Sequence, residues 1–409
     1  MSQGLLRATL TLLAGGVLAQ ALPLILGPWL TRLYAPDDWG RYAAFAAVAA
    51  NIAVVCCARY DFALPLVRDD AEARDLMALC LRVLLIVVAL AGLLGLVLHA
   101  TRALSHALWL PLAVLAAGAA QWLTLWASRA QRFAALSASR VTQYGGGAVA
   151  QLAGGVAQIG VAGLIAGPVL AGAATLPCLM RPAPLGGWRG LWRVPRDRWQ
   201  AVARRYHDFP FLNTPHAFAG ALQDTLAVAV LIAWSGDAAA GFWGLALRYL
   251  KAPATLVGGA VSQALYPKLA GADPVQARAA VLRVMRTLAL FAIPLGGMLL
   301  VAGPDLFALA FGERWRMAGE LARALAPYIA AHFVASPLAV VTLAWGGQAW
   351  ALKVALVGQL MFVSALLLGL IVGGPILGAW AVSAAMTLYF GFYFAALARW
   401  KDVPDVARA

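Results

Sequence analysis

Apolar residues dominate the chain in runs of about 20, broken by short polar stretches that carry most of the arginines. Each run is long enough, at about 1.5 Å per residue, to cross about 30 Å of hydrocarbon as a helix. The pattern predicts about twelve spans, near 8–31, 40–63, 76–98, 107–127, 141–162, 163–180, 209–234, 241–266, 282–302, 321–345, 350–372 and 376–398. The expected fold is therefore all-α, a polytopic membrane protein. A transmembrane barrel would instead alternate over segments of about ten residues. Gly160, Gly163 and Gly167 blur the division between the fifth and sixth spans, where one bent helix also fits. The first run continues to about Leu30 with no small-residue cleavage site, so it is read as a span and not as a signal peptide. The longest polar break, Arg181 to Asp208, separates six spans from six. The expected organisation is a six-helix lobe over 1–180, a basic cytoplasmic linker over 181–208 and a second six-helix lobe over 209–409.

Within this pattern the stretch Gly241 to Pro267 stands apart, because Arg248 and Lys251 lie inside an otherwise apolar run. A cation at bilayer depth costs several kcal/mol unless it faces protein or water. At 3.6 residues per turn, Arg248, Lys251, Thr255, Gly258, Gly259, Ser262 and Tyr266 share one side, and Leu247, Leu250, Val257, Val261 and Leu265 the other. The first side has the character of a cationic cavity wall. The preceding span carries Asn213, His216, Gly220, Gln223 and Asp224 along one face. Asp224 and Lys251 each lie ten residues from the outer end of adjacent antiparallel helices, so Asp224 is expected within ion-pair reach of Lys251 or Arg248. That pair is either a helix clamp or a charge set that rearranges on binding. Arg59 and Asp61 fall at the inner end of the second span, where Arg59 either snorkels to headgroups or faces the cavity mouth. Gln20 and Asn51 lie mid-span, suited to inter-helix hydrogen bonds or to cargo; His332, beside Ser336 and Pro337, suits packing.

Composition sharpens the class. The chain is 63% hydrophobic and 12% charged, with a mean hydropathy of +0.80, which excludes an ordinary soluble domain. Its net charge of +14 does not indicate nucleic acid, since the basic residues flank apolar runs rather than forming one basic domain. Loops after odd-numbered spans hold only Arg32, Arg41, Arg102, Arg314, Arg316 and Arg323, while the other loops and both tails, with Arg7, Lys401 and Arg408, hold far more. The positive-inside rule then places both termini in the cytoplasm. Trp39, Trp109, Trp234, Trp243 and Trp380 suit an outer aromatic belt, and Trp126, Trp345, Trp350 and Trp400 an inner one. In the linker, Trp188, Trp192 and Trp199 alternate with arginines; the segment is either a plain basic connection or an inner-leaflet docking site for an anionic lipid-linked substrate. Cys56, Cys57, Cys80 and Cys178 have no metal-ligand spacing and read as packing residues. The sequence contains no phosphate-cradling P-loop, no zinc-spaced His/Glu set and no Gly-x-Ser-x-Gly, and the outer loops leave little room for an active site. No enzyme, metal or cofactor is expected. The halves echo each other faintly, in Asp38-Trp-Gly-Arg-Tyr42 and in Asp237 to Gly241-Phe-Trp243, as two repeats around a central site would.

Five stretches add a resemblance: Leu30-Thr-Arg-Leu-Tyr-Ala-Pro-Asp-Asp-Trp-Gly-Arg-Tyr42, Arg59-Tyr-Asp-Phe-Ala63, Tyr206-His-Asp-Phe-Pro210, Gly241-Phe-Trp-Gly-Leu-Ala-Leu-Arg248 and Phe311-Gly-Glu-Arg-Trp-Arg-Met-Ala-Gly319. In this order the chain resembles the polysaccharide biosynthesis family of oligosaccharide flippases, in the multidrug/oligosaccharidyl-lipid/polysaccharide exporter superfamily. The resemblance implies two six-helix lobes forming a V that opens alternately to either side. It implies a monomer in the bacterial inner membrane, carrying a polyprenyl-pyrophosphate-linked oligosaccharide outward among membrane lipids and other polysaccharide-assembly proteins. Cavity cations would hold the pyrophosphate, here Arg59, Arg248 and Lys251. Gln20, Asn51, His216 and Gln223 are the polar candidates for the same cargo, and Asp224 and Asp61 for a charge pair or for H⁺ or Na⁺ coupling. Two rivals are a cation-coupled drug exporter, which would favour an acidic cavity, and a membrane polymerase or ligase, which needs a large outer loop.

Overall fold

A computed structural model describes residues 3–270 and 273–400; the side chains of 3–14, 212, 216, 267 and 270 lie outside that description, as do Lys401 and Arg408. Helices dominate the described residues, as the periodicity demands. They run α1 (Gln3–Leu33), α2 (Pro36–Ala53), α3 (Asp70–Ala100), α4 (Leu110–Arg129), α5 (Phe133–Arg140), α6 (Gly147–Val156) and α7 (Val161–Leu179). The short α8 (Gly187–Gly190) and α9 (Arg196–Arg205) follow, then α10 (Thr214–Ala270), α11 (Pro274–Phe311), α12 (Arg316–Ala335), α13 (Ala339–Ala344) and α14 (Gln348–Ala398). Seven helical stretches among the described residues are long and apolar enough to cross a membrane. Two of these contain non-helical backbone and so hold more than one helix: α10 breaks at Gly236 (φ 81°), and α14 at Gly373 and Gly374 (φ 80°). Only glycine takes such angles cheaply.

Compactness divides the chain after Thr225, into Met1–Thr225 and Leu226–Ala409. In the first unit, α5 continues through a π-helical turn, Val141–Gly146, into α6. The fifth helix thus begins at Phe133, earlier than the apolar run suggested, and ends before Gly160 (φ 61°), which starts the turn into α7. The two helices are distinct and antiparallel. Gly154 and Gly163 sit so close that a Cβ on Gly154 would lie 2.8 Å from the Gly163 Cα. Buried Gln151 fixes the same crossing by donating from Nε2 to the Leu164 carbonyl (2.8 Å), while the Tyr34 hydroxyl of the α1–α2 turn donates to the Gln151 carbonyl (2.7 Å).

The second unit repeats the device. A Cβ on Gly369 would lie 2.5 Å from the Gly378 Cα. Nine residues along one straight helix would span about 13.5 Å, so α14 is a hairpin; Trp350 stacked on Tyr393 at 5.9 Å says the same of the hairpin's open end. Each half of the chain therefore closes its last hairpin with glycines nine positions apart, Gly154/Gly163 and Gly369/Gly378.

Several local expectations need correction. Trp39, Trp126, Trp243 and Trp345 are buried inside the protein, not set in interfacial belts. Their large rings fill helix crossings, Trp243 against Phe362 and Trp345 against Trp400. Trp234 and Trp380 remain exposed, as a belt requires. The second span unwinds after Ala53 instead of running to 63. Cys56, Cys57 and Cys80 are reduced and buried in the core of the first unit, while Cys178 is exposed.

Candidate functional site

In the first unit, the polar groups gather where α2 ends. Ala58 and Arg59 both adopt positive φ (46° and 61°), an uncommon conformation for residues with a Cβ. The chain then enters a 3₁₀ turn, Tyr60–Leu66, which buries Asp61 to 1% exposure. Gln121 of α4 donates from Nε2 to Asp61 Oδ2 at 3.0 Å; Asp61 Oδ1 and Arg59 Nε are buried without hydrogen-bond partners. The Arg59 guanidinium lies 4.5 Å from the Phe62 ring centroid, and the residue is half-buried. Unwound backbone with buried charge is tolerated at membrane depth only where protein or water surrounds it. Asn51 is buried and donates to Thr225 Oγ1 (3.4 Å), which itself donates to the Ala47 carbonyl (3.1 Å). Gln20 is half-buried on α1, Gln223 half-buried and Asp224 exposed near the end of the unit. The side chain of His216 lies outside the description.

In the second unit, the stretch from Gly241 keeps only part of the sidedness that its spacing implied: Leu250 and Leu265 are buried, but Val257 is 40% exposed. Leu250, Ala254, Gly258, Leu265 and Leu269 form the buried stripe. Arg248 and Lys251 are half-buried beside it, and Thr255, Gly259 and Tyr266 are exposed. Two residues counted with the polar side belong to the packed one. Ser262 donates to the Pro337 carbonyl (3.1 Å), and a Cβ on Gly258 would lie 2.8 Å from Ser336 Oγ. Both meet the 3₁₀ turn Ser336–Leu338, where Pro337 interrupts the helix. Across from this stretch the His332 ring is packed between Tyr328 (5.8 Å) and Phe390 (6.1 Å). The Thr255 hydroxyl donates to the carbonyl of Lys251 (2.9 Å), whose side chain ends in an ammonium. Such a group can hold an anion by charge and hydrogen bonding; it has no nucleophile–base pair for covalent chemistry. Among the described residues no cluster of His, Cys, Asp and Glu could hold a metal ion.

Sequence reasoning missed two residues. Gln121, the partner of Asp61, is a single amide in an apolar helix with nothing nearby in sequence to mark it. Arg82 should have been noticed, since it lies well inside the apolar α3. Its guanidinium donates to the carbonyls of Ala78 (2.8 Å), Leu191 (3.2 Å), Trp192 (3.3 Å) and Val194 (3.3 Å), and so carries the linker.

Comparison with known proteins agrees with this architecture. The family described as "Polysaccharide biosynthesis protein" matches residues 29–320. None of the curated proteins compared matches the chain significantly in sequence. Among solved structures, the chain is similar to the lipid II flippase MurJ in an inward closed conformation, at TM-score 0.68 and 10% identity over 95% of this chain and 87% of that one. It is also similar to an inward-facing multidrug resistance MATE family transporter of the MOP superfamily, at TM-score 0.65 and 11% identity over 94% and 99%. A point mutant of the Vibrio cholerae MATE transporter VcmN aligns at TM-score 0.52 and 14% identity over 96% and 95%. At these identities the likeness is one of fold.

Proposed function

The chain belongs to the polysaccharide biosynthesis protein family, a family of transporters and not of enzymes, and from that premise we propose that it flips a polyprenyl-pyrophosphate-linked oligosaccharide from the inner to the outer leaflet of the bacterial inner membrane. The reading includes twelve spans in two six-helix lobes, both termini inside, and alternating access around a cationic cavity. The observation that carries it is the half-buried pair Arg248 and Lys251 on a helix otherwise built for lipid and packing. A pyrophosphate cannot cross hydrocarbon bare, and cationic side chains replace its water. The prenyl tail trails in lipid. In this scheme Arg59 completes the anion site, with Gln20, Asn51, His216 and Gln223 as polar contacts for the sugar. Outward movement of an anion from a negative interior gains about 2.3 kcal/mol per charge per 100 mV, so the step needs no ATP. Asp224, paired with Lys251 or Arg248, or Asp61, resets the empty cavity, by the potential or by coupling to H⁺ or Na⁺. The drug-exporter reading is favoured by the fold shared with MATE transporters and disfavoured by the sign of the charges.

The test replaces both cations, Arg248→Gln with Lys251→Gln. Surface polysaccharide should vanish while the protein stays in the membrane at its normal level. In proteoliposomes, movement of a short fluorescent lipid-linked saccharide should fall about tenfold or more, equivalent to ~1.4 kcal/mol or more. Normal polysaccharide from the double variant overturns the cargo role. Altered drug sensitivity with normal polysaccharide in a deletion strain would favour the exporter.

A further inference from the structure

The segment between Arg181 and Asp208 holds seven arginines and two aspartates. It is fixed to the first unit rather than slung beneath it. Leu191, Val194 and Val202 are buried in the unit's core, and Trp188, Trp199, Ala203 and Tyr206 pack against the same core. Arg82 gathers its carbonyls, as described above. Asp75, itself buried, pairs with Arg198 (3.0 Å); Glu72 pairs with Arg205 (2.9 Å) and accepts from the Tyr206 hydroxyl (3.2 Å). Trp126 Nε1, near the end of α4, donates to the Pro182 carbonyl (2.8 Å). One side of the segment is thereby accounted for.

The other side is not. Arg189 lies on α8, Trp192 and Arg193 on the 3₁₀ turn that follows it, and Arg196 opens α9 after extended backbone at Val194 and Pro195; all four are exposed, Trp192 to 60%. Among the described residues these three arginines make no ion pair, unlike Arg198 and Arg205. Leu185 is exposed beside them. A bare indole and an apolar side chain among unpaired guanidiniums suit neither bulk water nor a protein core. They suit the headgroup layer, where indoles reside and guanidiniums grip phosphate in a bidentate fashion. The segment sits at the starting end of α3 and the finishing end of α4, the level at which that layer begins on the basic side.

We propose that Arg189, Trp192, Arg193 and Arg196 form a binding surface for anionic phospholipid headgroups of the cytoplasmic leaflet. The inference depends on the orientation given to this segment and not on the identity of the cargo. Complementary charge chooses the occupant: three exposed cations without ion pairs within eight residues match phosphatidylglycerol or cardiolipin and not a zwitterionic lipid. With the contribution of each basic residue near such a surface, neutralising all three should weaken the interaction about a hundredfold.

The experiment titrates purified full-length protein with phosphatidylglycerol and with phosphatidylcholine and counts bound lipids by native mass spectrometry. The wild type should prefer phosphatidylglycerol, and the preference should fade with salt. The variant Arg189→Gln, Arg193→Gln, Arg196→Gln should lose it about a hundredfold with an unchanged melting temperature. A control with equal charge removed elsewhere, Lys268→Gln, Arg283→Gln, Arg286→Gln, should keep it. If the triple variant fails to fold, Arg193→Gln alone should show about a fivefold loss. Equal affinities in variant and wild type, or an equal loss in the control, overturn the proposal. In vesicles free of anionic lipid the triple variant should transport like the wild type; a defect persisting there assigns these arginines to cargo and overturns the lipid surface, whereas failure of the Arg248 and Lys251 test leaves it standing.

Discussion

Asp69 shows how little of a residue's role its polarity reveals. It precedes α3 and accepts the Glu72 backbone N–H at 2.9 Å, an N-cap that satisfies an otherwise orphan donor. The backbone N–H groups of Glu72 and Ala71 hold its carboxyl below the ordinary aspartate range. A lowered folded-state pKa stabilises fully above the unfolded value, about 3.9, and the contribution is lost as pH falls through the folded value. Asp69→Asn should therefore flatten part of the fall in melting temperature below about pH 4 while leaving neutral stability nearly as it was. An unchanged acid limb would mean the cap contributes nothing. Elsewhere at this scale the sequence marked Arg59 and Asp61 as residues of interest, but neither the positive φ at Ala58 and Arg59 nor the bond from Gln121 could be read from it. The bond joins positions sixty residues apart, which a local pattern cannot record.

At the level of elements, helix existence was legible because a face of apolar residues repeats locally. Helix crossing was not, because it depends on what two distant faces present to each other. The paired glycines make this testable. A methyl added to Gly154 or Gly369 meets backbone at 2.8 or 2.5 Å, and backbone cannot rotate aside. Gly154→Ala and Gly369→Ala should each cost about 1–3 kcal/mol and lower the melting temperature in detergent. Gly259→Ala, with open space around it, should be neutral or slightly stabilising. Equal melting temperatures for all three variants would remove the crossing argument. The tryptophans teach the same lesson: position near a span end suggested interfacial belts, yet Trp39 and Trp243 were needed as fillers between helices.

For the whole molecule, the distribution of arginine argues orientation. The dense set from Arg181 to Arg205 and the sparse outer loops predict that alkaline phosphatase fused after Arg102 or Arg314 is active, and after Arg193 inactive. Activity after Arg193 would invert the molecule and, with it, both the direction of flipping and the leaflet assigned to the linker surface.

By itself the sequence determined the membrane class, the helical content and the family stretches. These follow from composition and from periodicities a few residues long. The tertiary structure alone decided that Arg82, Asp75 and Glu72 clamp the linker, that Gln121 holds Asp61 and that Ser262 turns toward Pro337. A hydrogen bond or ion pair is chosen by distance in space, and a helix pattern carries no record of which neighbour will arrive.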